Sequence, residues 1–545
     1  VAVSQRPNPL ERRIFFMWFN VAARTWLRWL AIALLGLAIG FRFSHLGYKV
    51  YWHDEVFTSL RVAGYFGQEV SDRLFTGEIF SATDLLQYQQ LPPDVSLAKT
   101  WASLVDHPEH PPAYYLLAYG WGRLLGASVT GYRGIAALFG VLALPLVFIL
   151  GRRLFPGRPV LAWVGLVLFA VSPVQLIYSQ EAREYSFWVV GMLVATLTLL
   201  RAVRHPNRST WLGYSVGLTL SLYGSLVTVL LGLSHLIFVV LTQKPRQWLN
   251  FALASSGALV LFSPWLWVLG QNWHRFQTVT AWTQKSSPMG ILAKLWGLHY
   301  SATLVDFNLP LNHPFTMLVP PLVILGLLGI SVALLRSHAD PGMVLLLCMS
   351  WVPPLAIIGN DLLRGGQISG TTRYFLPSLM VVPLVIAAAF HQGWRQTLPR
   401  RRWLLAGCLG LVMLLGVASC GRYLQSPTWW NKGASYHNPT IAQTLNQITP
   451  LPLLVVFSGD TALGNAISLS YRLRPETPMR LFLQDELTAG QVPWEELRAW
   501  PGAVFLYQPA PVVREYLPAG AQWVTIPMFP GDESDQLVEV RLANP

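Results

Sequence analysis

Two acid-bearing clusters lie about fifty residues apart, and each sits close to a histidine. The first is His53, Asp54 and Glu55, a few residues after the first strongly apolar segment. The second is Asp106, His107, Pro108, Glu109, His110, Pro111 and Pro112. Acids this close to an apolar span are costly to keep near lipid, so their presence points to an enzyme working at a membrane surface. A carboxylate in a dry, membrane-flanked site can take a proton from an acceptor hydroxyl as that oxygen attacks an electrophilic carbon. Asp54 is assigned that role. Adjacent helical side chains diverge by about 100°, so Glu55 either orients the base or binds the acceptor. The plainer reading is that Asp54 caps a helix and Glu55 sits in its first turn, where acids suit the helix dipole.

Three further groups could handle an anion. Pro111 and Pro112 can open a helix whose free N–H groups, beside Glu109 and His110, would receive a phosphate. In the turn Tyr178, Ser179, Gln180, Glu181, Ala182, Arg183, Glu184 and Tyr185, the arginine lies opposite the basic clusters that follow other spans. A guanidinium held there by acids and tyrosines could clamp phosphate. Arg373 and Tyr374 open an apolar span after Gly365, Gly366 and Gly370, either as a snorkelling anchor or as a second phosphate-binding group. Arg364 is a weaker candidate of the same kind.

The elements that must position these residues are membrane helices. The chain has 545 residues, 53% of them hydrophobic and 12% charged, against about 25% charged in an average soluble domain. Apolar stretches at roughly 26–43, 133–151, 159–178, 186–203, 209–224, 225–243, 248–270, 316–336, 341–359, 373–391 and 402–420 predict eleven spans. The first, preceded by Arg12, Arg13, Arg24 and Arg28, reads as an uncleaved anchor. With the N-terminus inside, the clusters at Arg152–Arg158, Arg201–Arg208, Lys244–Arg246 and Arg395–Arg402 are all cytoplasmic, as the positive-inside bias expects. That arithmetic makes residues 111–126 an interfacial helix rather than a span, with Tyr114, Tyr115, Tyr119 and Trp121 at the water boundary. Residues 55–66 form a second such helix in the first external loop, 44–132.

The net charge of +13 fits cytoplasmic loops, and no basic run with interleaved aromatics supports nucleic-acid binding. Cys348, Cys408 and Cys420 form neither a disulfide framework nor a metal motif. His107 with His110 is the nearest approach to metal spacing. No metal ligand set is assigned, and a divalent ion joined by Asp54 is left open. His235 reads as a packed polar group within a span, and His45, His274 and His299 as interfacial. The tail changes composition. Strands at Leu451–Ser458, Ala503–Tyr507, Gln522–Phe529 and Leu537–Leu542, with a helix at 461–473, predict a small α/β extracytoplasmic domain over 423–545 beside a membrane module over 1–422.

The motifs Asp54-Glu55, His110-Pro111-Pro112-Ala113-Tyr114-Tyr115, the Tyr178–Tyr185 turn and Arg373-Tyr374 with Pro377 resemble the membrane glycosyltransferases of the GT-C fold. Within these they resemble the family of protein O-mannosyltransferases and of the aminoarabinose transferases that modify lipid A. The resemblance covers roughly residues 10–390. It implies a polytopic helical fold and transfer of a sugar from a polyprenyl-phosphate carrier, with inversion, at the non-cytoplasmic face of a bacterial plasma membrane. Asp54 would match the catalytic acid. Glu109 and His110 would lie near the carrier phosphate, where the lipid A enzymes have a lysine in place of His110. Arg183 and Arg373 would lie near the carrier head group. The tail does not resemble the β-trefoil insert of the O-mannosyltransferases, so the acceptor stays open among lipid, polysaccharide and protein. Two other classes compete. A transporter or flippase of polyprenyl-linked sugars predicts charges near mid-membrane. A membrane-anchored binding protein would place the working part in the tail.

Overall fold

The computed structural model describes residues 27–336, 340–396, 398, 402–529, 532 and 534–542. Arg12, Arg13, Arg24, Arg400 and Arg401 lie outside these residues, and so does the start of the expected anchor.

All eleven apolar stretches are largely helical over their described residues. Length separates them. Among the described residues, seven helices are long and apolar enough to cross a membrane, from Val129–Leu154 to Arg402–Ser435. An eighth is reached if Pro159–Ala170 and Pro173–Ser179, bent by 59°, make one span. Ser172 and Pro173 explain that break, because proline removes an amide donor and disfavours helix before it. Arg208–Leu222 and Thr228–Thr242 are 15 residues each, about 22 Å of helix against a hydrocarbon core of about 30 Å. Among the described residues the expected count of eleven spans is therefore not confirmed by length. At one end of the Tyr185–Arg204 helix, Arg204 bonds the Arg153 carbonyl, so two of the basic clusters share an end of the bundle. Tyr185 and the turn before it lie at the other end.

The first loop holds more structure than two interfacial helices. His53–Val62 and Ala113–Leu125 are both present, with Gly67–Leu74, Ala82–Leu86 and Leu97–Val105 between them. Tyr114 and Tyr115 are fully buried rather than set at an interface, and Tyr115 Oη donates to Glu184 at 3.0 Å. His299 is likewise buried, bonded to the Ser369 carbonyl at 3.1 Å and to Thr372 at 2.9 Å. His235 is the packed polar group expected, between Thr196 and Tyr214.

The tail and the first loop share one six-stranded sheet. Its strands are β1 (Ile79–Ser81), β2 (Leu453–Phe457), β3 (Pro478–Phe482), β4 (Val504–Tyr507), β5 (Gln522–Thr525) and β6 (Leu537–Arg541), in the order β1-β3-β2-β4-β6-β5. β2 runs parallel to β3 and β4, and the outer pairs are antiparallel. Every residue of β2 is buried, as a central parallel strand requires. Its alternate residues divide between two cores. Leu453, Val455 and Phe457 fill a small core on one face, and Leu454 and Val456 join the main core with Val56 and Leu60 of the first loop. β1 docks on β3 with Phe80 opposite Met479, and Arg480 Nε fastens it by donating to the Gly77 carbonyl at 2.6 Å. The helix Ala462–Ser470 packs against His53–Val62 through Gly464. A Cβ there would sit 2.9 Å from the Phe57 ring and closer still to His53, so glycine alone allows the approach.

Candidate active site

The chemistry-bearing residues converge at one end of the bundle. The helix His53–Val62 starts after Trp52, whose backbone N–H donates to Glu55 Oε2 at 3.4 Å. Asp54 therefore stands in the first turn and not at the cap position expected for it. Its side chain is 18% exposed, with Oδ2 3.2 Å from Arg373 Nη1 and 3.4 Å from the donating Tyr185 hydroxyl. Arg183 approaches from a second side. It donates to the Asp54 carbonyl and to Thr58 Oγ1, both at 3.3 Å. Burial pushes the Asp54 carboxyl up, but Arg373 and Arg183 outweigh it and hold the group down at about 2. It is therefore ionised over the whole physiological range.

Glu55 faces the other way. Its oxygens accept from Arg133 Nε at 2.7 Å and Nη2 at 2.6 Å, and Oε1 also accepts the Ala182 N–H at 2.7 Å. The pair is fully buried, with the two side chains 0% and 1% exposed. Burial would raise this carboxyl, and Arg133 with the added hydrogen bonds keeps it below the usual carboxylate range. The Arg133 guanidinium also bonds the carbonyls of Leu46, Lys49 and Val50. Unlike the Asp54 carboxylate, that of Glu55 thus has every acceptor position engaged within the protein. Its work is to fix the first-loop helix to the 180–184 turn.

That turn is fixed from both ends. Gln180 Nε2 donates to the Phe41 carbonyl at 2.7 Å and the Ser44 carbonyl at 2.8 Å. Arg183 is thereby presented to His110, whose two ring nitrogens lie 3.4 Å from Nη2, and to Glu184 at 3.2 Å. His110 also lies 3.5 Å from both Glu184 and Glu109. Burial and then Arg183 hold its pKa below the ordinary histidine value. Glu109 accepts from His107 at 3.2 Å and lies 3.9 Å from Arg61. Burial pushes its carboxyl up, and His110, the hydrogen bond from His107 and Arg61 together hold it down at about 2. Tyr178 packs edge-on against Tyr185 with ring centroids 4.9 Å apart. Tyr374 lies beside Arg373, whose guanidinium also covers the Trp282 ring at 5.8 Å. Arg364 sits exposed at a helix end before the left-handed Gly365 and joins none of these groups.

Four participants were not anticipated. Arg133 opens a span on the same side as Arg183, and the charge-asymmetry argument that singled out Arg183 applies equally to it. Trp430, Asn431 and Lys432 come from the tail. Lys432 Nζ bonds Glu181 Oε1, which also accepts from Asn431 Nδ2 at 2.8 Å. A polar and aromatic run so soon after the last span was the available signal. A cavity of about 220 Å³ opens beside Arg373, lined by Trp52, Tyr178, Leu295, Gly370–Arg373, Trp430, Asn431 and Gly433. Among the described residues, no three His, Cys, Asp or Glu side chains cluster in a way that could hold a metal ion.

The chain resembles known proteins in both sequence and shape. Residues 109–268 match the family model of dolichyl-phosphate-mannose-protein mannosyltransferases. The fold matches ArnT from Cupriavidus metallidurans bound to undecaprenyl phosphate, at 13% identity and a TM-score of 0.53, covering 94% of this chain and 97% of that one. It matches the apo state of the same protein at 14% identity and a TM-score of 0.52, over 95% and 98% of the two chains. No curated protein matches the chain in sequence. The fold is thus the GT-C fold of membrane glycosyltransferases, in an integral membrane protein. Within that class its fold is similar to that of ArnT, and its residues 109–268 are similar in sequence to the dolichyl-phosphate-mannose-protein mannosyltransferases.

Proposed function

We propose that this protein is an inverting glycosyltransferase that moves a sugar from a polyprenyl-phosphate carrier to a hydroxyl acceptor, with Asp54 as general base. One observation carries the reading: an ionised carboxylate, partly exposed, lies between Arg373 and Arg183 at the end of the helical bundle. A lipid phosphate is a good leaving group once its charge is held, so the departing side needs guanidinium groups rather than a general acid. The attacking side needs a base within hydrogen-bond reach of the acceptor. In the resting site Arg373 neutralises Asp54. A carrier phosphate would draw Arg373 toward itself and leave the carboxylate free to accept the proton. A single displacement of this kind inverts the anomeric centre. Further support comes from the family match and from the neighbour bound to undecaprenyl phosphate. We place the site and the tail on the extracytoplasmic side, because the basic clusters at Arg153 and Arg204 mark the other end.

The test is reconstitution into vesicles with polyprenyl-phosphate sugar labelled in the sugar, together with cell-envelope acceptor fractions. The expected result is label leaving the lipid in step with the appearance of bare polyprenyl phosphate. Label that crosses the bilayer while still on its carrier would overturn the enzyme reading in favour of a transporter.

A further inference from the structure

An arginine near the end of an apolar span usually extends its stem until the guanidinium reaches water. Arg42, in the last turn of the helix over 27–43, does not. It is fully buried, and its Nη1 donates to the Ala38 carbonyl at 2.8 Å and the Ala170 carbonyl at 3.0 Å. Its Nε and Nη2 have no partner among the described residues, and among those residues the guanidinium joins no ion pair. Cys420, a neighbouring group that could carry negative charge, donates its thiol to the Val171 carbonyl at 3.3 Å and is uncharged. A cation buried in this way is costly unless something neutralises it.

The space beside the charge is small and rich in donors. Gly140 creates it: a Cβ there would collide with Ser179 Oγ and lie 3.3 Å from Arg42 Nε. A cavity of about 10 Å³ opens at that point, lined by Gly140, Gln175 and Ser179 with apolar walls from Ala143, Phe169 and Val189. Room of this order holds one small occupant. Gln175 is 4% exposed, and its Nε2 is another buried donor without a partner among the described residues. The Ser179 hydroxyl donates to the Gln175 carbonyl at 2.6 Å. Arg42 Nε and Gln175 Nε2 thus border the cavity, and Nη2 belongs to the same unneutralised guanidinium. A water there would bring two protons of its own to a wall of donors and leave the positive charge standing. A small anion accepts from every donor and cancels the charge, an attraction much stronger in a dry interior than in water. The cavity is too small for sulfate or phosphate.

We propose that this cavity is a structural site for one monatomic anion, a halide, held by Arg42 and Gln175. It lies behind Tyr178, which also lines the larger cavity beside Arg373. The proposal stands independently of the glycosyltransferase reading. Its consequence is mechanical. Gln180 Nε2 donates to the Arg42 carbonyl at 3.3 Å, so an anion that fixes Arg42 also braces the turn that presents Arg183.

The experiment reads the melting temperature of the full chain in detergent at fixed ionic strength, with gluconate replaced stepwise by chloride or bromide. Raising halide from about 1 to about 100 mM should raise the melting temperature by roughly 2–4 °C, and sulfate at equal ionic strength should not. Arg42→Met should abolish the response. Should that variant fail to fold, Gln175→Glu keeps the volume and sets a carboxylate beside the guanidinium. It should melt alike in gluconate and chloride, because its own charge takes the place of the ion. In crystals grown with bromide, the anomalous peak should lie between Arg42 Nε and Gln175 Nε2. A melting temperature that is the same in gluconate, chloride and sulfate overturns the proposal and leaves water as the occupant. So does a halide response that survives in Gln175→Glu, or bromide that binds elsewhere with none beside Arg42.

Discussion

Asp54 and Glu55 are consecutive carboxylates on one helix, and their surroundings differ in a way that separates function from architecture. Glu55 meets a guanidinium in a sealed, bidentate pair with a backbone N–H as third donor. Asp54 meets guanidinium groups too, but through a single 3.2 Å contact in a site that stays 18–20% exposed. Arg133 is immobilised by three backbone carbonyls. Arg373 has its Asp54 contact and two aromatic faces. A closed pair holds elements together, whereas an open one can be exchanged for a substrate phosphate. The step of about 100° between adjacent helical residues is enough to turn one carboxylate into the core and the other toward the cavity.

The sharpest way to break this comparison is to remove each charge in turn. Asp54→Asn should lower the transfer rate by about 10²–10⁴-fold, the scale of general-base catalysis, with a smaller fall in melting temperature than Glu55→Ala produces. Unaltered transfer would remove Asp54 from the proposed role. Glu55→Ala should do the reverse in kind. It strands Arg133 in the interior, and removing one partner of a buried pair costs about 3–5 kcal/mol, visible as a large fall in melting temperature. Replacing both partners, Glu55→Leu with Arg133→Met, should recover part of that loss, since no unpaired charge remains although the Leu46, Lys49 and Val50 carbonyls and the Ala182 N–H lose their partners. If Glu55→Ala melts like the unaltered protein, the distinction drawn between the two acids is lost.

The tail supplies the next test. Lys432 is the buried counter-ion of Glu181, two residues from Arg183. Lys432→Met should let the 180–184 turn shift and slow transfer by roughly 10–10²-fold, a common penalty for small misplacements in a site. Its signature would be a raised KM for the carrier together with easier proteolysis of the tail. A variant with normal kinetics would show that the tail docks without tuning the site.

The pattern of what the sequence disclosed follows from the same physics. Asp54, His110, Arg183 and Arg373 stood out because charged groups at the ends of apolar helices are rare and expensive, so each demanded a reason. Arg133 satisfied the same criterion and was absorbed into the start of a predicted span. Lys432 and Trp430 were hidden by the change of composition after the last span, which suggested an independent unit. The sheet shows why that suggestion was incomplete. β1 is three residues long and carries no period of its own, and β3 begins at Pro478 and includes Arg480, features that weigh against a central strand. β1 exists because it pairs with β3, and β3 because it pairs with both β1 and β2, information that no local window contains. The two expected spans that form short helices have a similar origin: composition identified both apolar segments, but fifteen-residue helices pass a hydropathy test more easily than they pass a length test.

The smallest expected effect concerns pH and bears directly on the open pair. Asp54 has its pKa depressed to about 2 against burial by Arg373 first and Arg183 second. A group depressed in this way keeps its charge, and the stability gained from its ion pair, at every pH above its unfolded value near 4. Both are lost only as pH falls through the folded value. The acid limb of kcat/KM that belongs to this base in the free enzyme should therefore lie below pH 4. In Arg373→Ala the largest opposing charge is gone while burial remains, so the pKa rises and the limb moves to higher pH. Arg183 still faces the carboxylate, which keeps the displacement to about one or two pH units. Lys in place of Arg373 restores charge without the planar fork, and should return the limb most of the way while leaving carrier affinity impaired. A limb that stays in place when Arg373 is removed would mean that the 3.2 Å contact does not govern the base, and the open pair would lose its claim to be the part of the molecule that responds to substrate.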